Sequence, residues 1–193
     1  MHKLRNPMNR SDKEKKLCQK SKAIWLTGLS GAGKTTISTL LESKLTVNGF
    51  TCEILDGDRI RNGINANLSF TLEDRQENIR RVAEISKLFL ESGIITINAL
   101  ISPTIASRQL ASNIIGEQDF LEIHISTSLE VCETRDVKGL YKKARKGLIR
   151  NFTGIDSPYE VPSNPFLKID TELISAEQAC DIIYNNIQPL ISH

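Results

Sequence analysis

The sequence predicts an α/β domain: a parallel β-sheet with helices on both faces and a basic lid segment. Three observations predict it. Short apolar runs alternate with longer stretches whose apolar residues recur at helical spacing, the pattern of a wound parallel sheet. The first apolar run passes through a glycine-rich turn directly into a helical pattern. Residues 136–165 are irregular, basic and rich in Gly and Pro, and a segment of that length in one domain of 193 residues has the character of a lid over a site.

Residues 23–27 read as the first strand. The helix after the turn carries Ile37, Leu40, Leu41 and Leu45 on one face and has Gly49 near its end. Residues 51–55 form the second strand. Thr71 and Asp74 have capping-box spacing and open a helix on which Ile79, Val82, Ala83, Phe89 and Leu90 recur. Residues 94–101 are the third strand, stopped by Pro103. Residues 120–125 are the fourth, with Ser128 capping the helix that follows, and 166–169 are a short fifth. Ser175 and Gln178 form a second capping box before a last helix expected to stop at Pro189.

Charge and cysteine usage narrow the setting. The formal net charge is +2, but residues 1–22 hold eight Lys/Arg against Asp12 and Glu14, a net of +6, so residues 23–193 carry −4. The segment is read as a solvated, flexible tail, with the domain proper over 23–193; neither nucleic acid nor a membrane is expected as a partner. No run approaches the length of a bilayer span. Cys18, Cys52, Cys132 and Cys180 are scattered without a CxxC pair, which disfavours a zinc site or a disulfide framework and implies a reducing, cytoplasmic setting.

Gly28-Leu29-Ser30-Gly31-Ala32-Gly33-Lys34-Thr35 satisfies GxxxxGK[ST] at every fixed position, between a predicted strand and a predicted helix. Glycines let such a loop curl so that its N–H groups face phosphate oxygens, and the helix start adds its positive dipole end. Lys34 is then the cation for the β- and γ-phosphates of ATP, and Thr35 a Mg²⁺ ligand. A GTPase or motor ATPase would place an acid at the end of the third strand, which instead reads Ile97-Asn98-Ala99-Leu100-Ile101. The acids follow the second strand, as Asp56-Gly57-Asp58. Asp56, nearer the strand end, is the candidate for the Mg²⁺ shell, and Asp58 the general base for an acceptor hydroxyl.

Downstream lie Arg61, Phe70, Arg75 and Asn78, with Arg75 and Asn78 on one helix face. Two arginines beside an acceptor site point to an anionic acceptor, because guanidinium pairs bidentately with phosphate or sulfate. At this point a kinase for another small acceptor, such as a nucleoside, gluconate or shikimate, stays open. So does a nucleotide-binding regulatory protein, although Lys34, Asp56 and Asp58 are all intact.

Residues 23–171 closely resemble adenylyl-sulfate kinases. The resemblance runs through GLSGAGKTT (28–36), LDGDRIR (55–61), EDRQENIRR (73–81), ISP (101–103), CETRDVKGLYKKAR (132–145) and FTGIDSPYE (152–160). It implies phosphorylation of the ribose 3′-hydroxyl of adenosine 5′-phosphosulfate by MgATP, giving 3′-phosphoadenosine 5′-phosphosulfate and ADP in sulfate activation, and a homodimer. By the same resemblance Arg61, Arg75 and Asn78 contact the phosphosulfate and ribose, and Phe70 and Phe152 sandwich the adenine. Residues 135–150 would supply lid cations, of which Arg135 and Lys138 match nucleotide-side positions. Ser102 matches a serine the family associates with a phosphoenzyme, although direct in-line transfer needs no covalent stop. Arg59, Ser69, Thr104, Leu148 and Phe166 depart from the family's usual residues, none on the P-loop, the two aspartates or the acceptor arginines.

Overall fold

The computed structural model describes residues 8–193. Its five strands are β1 (Ala23–Thr27), β2 (Cys52–Asp56), β3 (Ile95–Ala99), β4 (Phe120–Ile125) and β5 (Leu167–Ile169). They pair in the order β2-β3-β1-β4-β5, every pair parallel. The helices are α1 (Arg10–Leu17), α2 (Lys34–Val47), α3 (Gly57–Arg61), α4 (Leu72–Glu91), α5 (Ile105–Ile115), α6 (Leu129–Arg135), α7 (Leu140–Arg145) and α8 (Ala176–Ile191).

Helices on both faces bury β1 and β3 along their whole length, which is why those strands lack the alternation of a half-exposed sheet. Successive β1 side chains point to opposite faces. Ile24 and Leu26 join Ile37 and Leu41 of α2 and Ile183 and Ile187 of α8. Ala23 and Trp25 join Ile79 and Val82 of α4 and Ala111 of α5. The expected α/β architecture is thus present, with strand ends shifted by one or two residues.

The caps explain where helices begin. Ser175 and Gln178 satisfy each other's backbone in a full capping box, and Ser128 Oγ accepts from the Val131 N–H. At α4 only half of the expected box forms. Thr71 accepts from the Asp74 N–H, but the Asp74 carboxylate turns to the backbone N–H and hydroxyl of Ser69. Pro189 does not end α8, which runs on to Ile191. In the last turn a missing N–H costs a single bond, and buried Ile187 and Ile191 hold that turn on the core.

The expectation of a loose tail through residue 22 fails for residues 8–22; residues 1–7 lie outside the described residues. Asn9 caps α1 by accepting from the Asp12 N–H. Arg10 pairs with Asp119 at 2.5 Å and with Glu14 at 2.9 Å, and Lys22 pairs with Asp119 at 2.7 Å. Burial opposes the charge on Asp119, but the two cations outweigh it and hold its carboxyl below the ordinary range. Gln19 is fully buried: its amide donates to the carbonyls of Thr51 (2.9 Å) and Gly93 (2.7 Å) and accepts from the Thr51 N–H (2.7 Å). The basic residues of this segment are therefore partly structural, and composition alone does not separate them from a solvated tail.

Gln19→Ala removes a side-chain partner from the buried Gly93 carbonyl and from the part-buried N–H and carbonyl of Thr51, and is expected to cost about 1–3 kcal/mol in urea unfolding. Lys15→Ala, at an exposed position of α1, should stay within about 0.5 kcal/mol. An unchanged midpoint for Gln19→Ala would show that residues 8–22 do not belong to the folding unit.

Candidate active site

The registers Asp56 beside Ala99 and Leu26 beside Ala99 bring the ends of β2, β3 and β1 to one edge of the sheet. Ligands of open parallel sheets bind at that carboxyl edge. A cleft of about 650 Å³ opens there. The glycine-rich turn leaves β1 at Gly28, where a Cβ would sit 2.5 Å from the Ile125 carbonyl oxygen, so only glycine lets the turn pass so close to β4. Gly31 and Gly33 take φ of 78° and 100°, which curl the loop back toward α2. Leu29 faces away from the cleft against Gly154, and Ala32 is buried. Ser30, Gly31, Gly33, Lys34 and Thr35 line the cleft.

Three hydroxyls hold the loop from behind. Thr127 and Thr171 Oγ1 lie 3.2 and 3.1 Å from the Ala32 carbonyl oxygen and 2.6 Å from each other, so one hydroxyl donates to the carbonyl and the other to its neighbour, and Tyr141 donates to the Ser30 carbonyl at 2.9 Å. Arg135 is anchored on Thr171, donating to its carbonyl at 2.7 Å, and so stands over the loop at the cleft wall. The first turn of α2 has no side-chain cap, leaving its N–H groups for a ligand. Lys34 Nζ donates to the carbonyls of Gly28 (2.9 Å) and Leu29 (2.8 Å), and burial pulls its pKa down to about 8.

Thr35 Oγ1 donates to Asp56 Oδ2 at 2.9 Å, joining the two expected metal ligands at the foot of the loop. Asp56 Oδ1 also caps α3 by accepting from the Asp58 N–H at 3.0 Å, which fixes the carboxylate. Among the described residues no three acidic, His or Cys side chains gather into a complete metal site. A hydroxyl and one carboxylate, both hard oxygen donors, fit Mg²⁺, which is held by one or two protein oxygens together with phosphates and water. One residue along α3, the exposed Asp58 carboxylate pairs with Lys138 from the lid.

On the far wall Phe70 is 54% exposed, with the Arg61 and Arg75 guanidiniums 4.3 and 5.4 Å from its ring centre. Arg75 donates to the carbonyls of Phe70 (3.1 Å) and Asn151 (2.7 Å), and Arg61 to that of Ser69 (2.9 Å). Burial lowers the pKa of both arginines, so both gain from an anion. Asn78, also at the cleft, is buried beneath them.

Phe152 lies elsewhere. It is 8% exposed and packs edge-on against Tyr141, with ring centres 4.9 Å apart, so the structure does not form the expected Phe70–Phe152 sandwich. Ser102 is at the cleft but only 1% exposed, in the left-handed region at φ 46°. Its hydroxyl accepts from Trp25 Nε1 at 2.9 Å and its carbonyl accepts from Arg108 at 2.7 Å. Of the other lid cations, Lys142, Lys143, Arg145 and Lys146 are exposed outside the cleft.

The sequence profile of the family described as Adenylylsulphate kinase matches residues 20–170. The chain belongs to the adenylyl-sulfate kinase family. An adenylyl-sulfate kinase of Bacteroides thetaiotaomicron is 58% identical over 184 residues, 95% of this chain and 92% of that protein. One from Clostridium acetobutylicum is 51% identical over 176 residues, 91% of this chain and 88% of that protein. Among solved structures, the Mycobacterium tuberculosis APS kinase CysC in complex with AMPPNP and APS superposes with a TM-score of 0.85 at 40% identity, covering 88% of this chain and 98% of that one.

Several residues that build this kinase's cleft escaped the sequence reading. Thr127 and Thr171 follow β4 and β5 at the carboxyl edge, and that position is the signal by which they are found. Tyr141 carried none, since its contact depends on how α7 folds back. Ile174, Ser175 and Ala176 form the wall beyond Arg135, beside the loop and away from Phe70.

The depressed pKa of Lys34 predicts a pH dependence for nucleotide binding. Below about pH 8 the ammonium is already charged in the free protein. Above it, a proton must be taken up for phosphate to be held, because phosphate raises the pKa again. ATP Kd is therefore expected to be flat from pH 7 to 8 and to rise by up to about tenfold per pH unit above that. Titration calorimetry in buffers of different ionisation enthalpy should show proton uptake on binding near pH 8.5. A flat Kd to pH 9.5 without proton uptake would contradict this assignment of Lys34.

Proposed function

We propose that this kinase transfers the γ-phosphoryl group of ATP to the ribose 3′-hydroxyl of adenosine 5′-phosphosulfate, giving 3′-phosphoadenosine 5′-phosphosulfate and ADP. One observation carries the choice of acceptor: an exposed aromatic face flanked by a buried guanidinium, Arg75, and a half-buried one, Arg61, lies in the same cleft as the phosphate loop. A flat base stacks on such a face, and the arginines pair with the anionic end of the same molecule. Family membership and the TM-score of 0.85 to the Mycobacterium tuberculosis APS kinase in complex with AMPPNP and APS support the same reading.

The nucleotide side is the loop, Lys34, Arg135 and the wall over 174–176. Thr35 and Asp56 would hold Mg²⁺, which when bound neutralises charge shared between the β- and γ-phosphates. Asp58 takes the proton of the acceptor hydroxyl as its oxygen bonds to the γ-phosphorus, and the bond from that phosphorus to the β-phosphate oxygen breaks to release ADP. Lys34 and Lys138 offset the charge gathering on the transferred group. Arg61, Arg75 and Asn78 hold the acceptor, and Phe70 is its stacking platform. Phe152 follows Asn151, whose carbonyl holds Arg75, so it backs the acceptor site from the lid side. To serve as a second stacking face, the turn over 151–157 must swing toward Phe70. Ser102 is a wall residue in this scheme. A homodimer is proposed on the family relationship alone.

Asp58→Asn keeps a hydrogen-bonding side chain but cannot take the proton, and is expected to lower kcat by about 10²–10⁴-fold. ATP affinity should be unchanged in equilibrium titrations; a matching loss of ATP binding would move Asp58 to the metal shell. Arg75→Ala should raise the KM for adenosine 5′-phosphosulfate by about one to two orders of magnitude and leave the ATP Kd of the acceptor-free protein alone. If it instead weakens ATP and spares the acceptor KM, the two sides of the cleft are assigned backwards.

A further inference from the structure

We infer that Asn65, a buried residue between α3 and α4 with no place in the cleft wall, sets acceptor selectivity by fixing which face of the Asn78 amide meets the acceptor. The inference rests on the reading of Asn78 as an acceptor contact. Asn65 is fully buried, and its Nδ2 donates to Asn78 Oδ1 at 2.9 Å. Its own Oδ1 faces Arg81 Nη1 at 3.3 Å. Arg81 is in turn steered by Glu77, 2.8 Å from its Nε, and donates to Asn67 Oδ1 at 2.9 Å.

This chain of contacts has only one consistent orientation. A guanidinium has donors and no acceptor, so the group of Asn65 that meets Arg81 must be its oxygen. The nitrogen of Asn65 is then committed to Asn78, and only an oxygen of Asn78 can receive it. Asn78 therefore turns its Nδ2 toward the cleft as a donor, although an isolated asparagine side chain flips at little cost. A donor at that place favours an acceptor that offers an oxygen lone pair, such as a ribose or phosphosulfate oxygen. The charge that sets the orientation is the guanidinium of Arg81, on the next turn of α4 and outside the cleft wall.

The test is Asn65→Asp. A carboxylate at 65 still pairs with Arg81 but cannot donate to Asn78, and it draws the Asn78 Nδ2 away from the cleft. Acceptor KM is expected to rise about tenfold, the scale of one lost hydrogen bond, with kcat and ATP Kd within about twofold. The double variant Asn65→Asp/Asn78→Ala should then lose no more acceptor affinity than Asn78→Ala alone, since Asn65 acts only through Asn78. Additive losses, or an Asn65→Asp protein with unchanged acceptor KM beside a damaged Asn78→Ala, would overturn the inference. An Asn78→Ala protein with normal acceptor KM would instead remove the underlying reading of Asn78. If Asn65→Asp weakens folding, thermal melts and ATP Kd register it. Asn65→Gln at reduced temperature then repeats the comparison, and a lowered kcat with unchanged acceptor KM again overturns the inference.

Discussion

Two hydroxyls, from the ends of β4 and β5, converge on one carbonyl oxygen of the phosphate loop. Thr127 and Thr171 lie 2.6 Å apart, each within 3.2 Å of the Ala32 oxygen. With that carbonyl satisfied from behind, the loop keeps its N–H groups toward the cleft, and Lys34 closes the curl across the Gly28 and Leu29 carbonyls. The sheet order makes this possible, because only a strand flanked by β3 and β4 can be buttressed from β4 and β5 while facing acids carried by β2. The remaining contacts of the cleft are placed relative to this curl: Thr35 meets Asp56 at its foot, and Arg135 reaches over it from Thr171.

Charge divides the cleft into two halves. On the loop side burial pulls the pKa of Lys34 down to about 8, the mark of a desolvated cation. On the other side two arginines, also desolvated, flank an exposed phenylalanine. At the mouth of the cleft the exposed Asp58 carboxylate is paired with Lys138 of the lid. Lys34, Arg61 and Arg75, all partly or wholly desolvated, gain most from anions, and the protein offers them at two places, as a phosphoryl transfer between two anionic substrates requires.

The sequence was most informative where one residue type alone can do a job. The loop glycines, Lys34 and Thr35 could be read directly, because a backbone at positive φ and a phosphate cation leave few choices. The Asp56–Gly57–Asp58 pair was legible once the loop was in place, and Arg61, Phe70 and Arg75 through the family's motifs. Phe152 was placed by motif but not by packing: its ring sits against Tyr141, a contact that depends on the fold of the lid. The segment before β1 was misread as a solvated tail because its binding comes from Gln19 and Arg10, polar residues whose partners lie far away in sequence at Thr51, Gly93 and Asp119. Periodicity has no purchase on such contacts. Pro189 misled for the opposite reason, since a local rule gave way to two buried isoleucines.

Ser102 bears directly on the course of phosphoryl transfer. Its left-handed backbone costs of order 1–3 kcal/mol and is held by Arg108, while its hydroxyl is engaged by Trp25 beneath the cleft wall. That environment is one of support, and the central claim is that the phosphoryl group passes directly from ATP to the acceptor. The most direct measurement is the stereochemical course at the γ-phosphorus, using ATP made chiral there with oxygen isotopes and adenosine 5′-phosphosulfate as acceptor. A single in-line displacement gives inversion of configuration, which this account predicts. Retention would mean two displacements through a protein-bound phosphate and would contradict it.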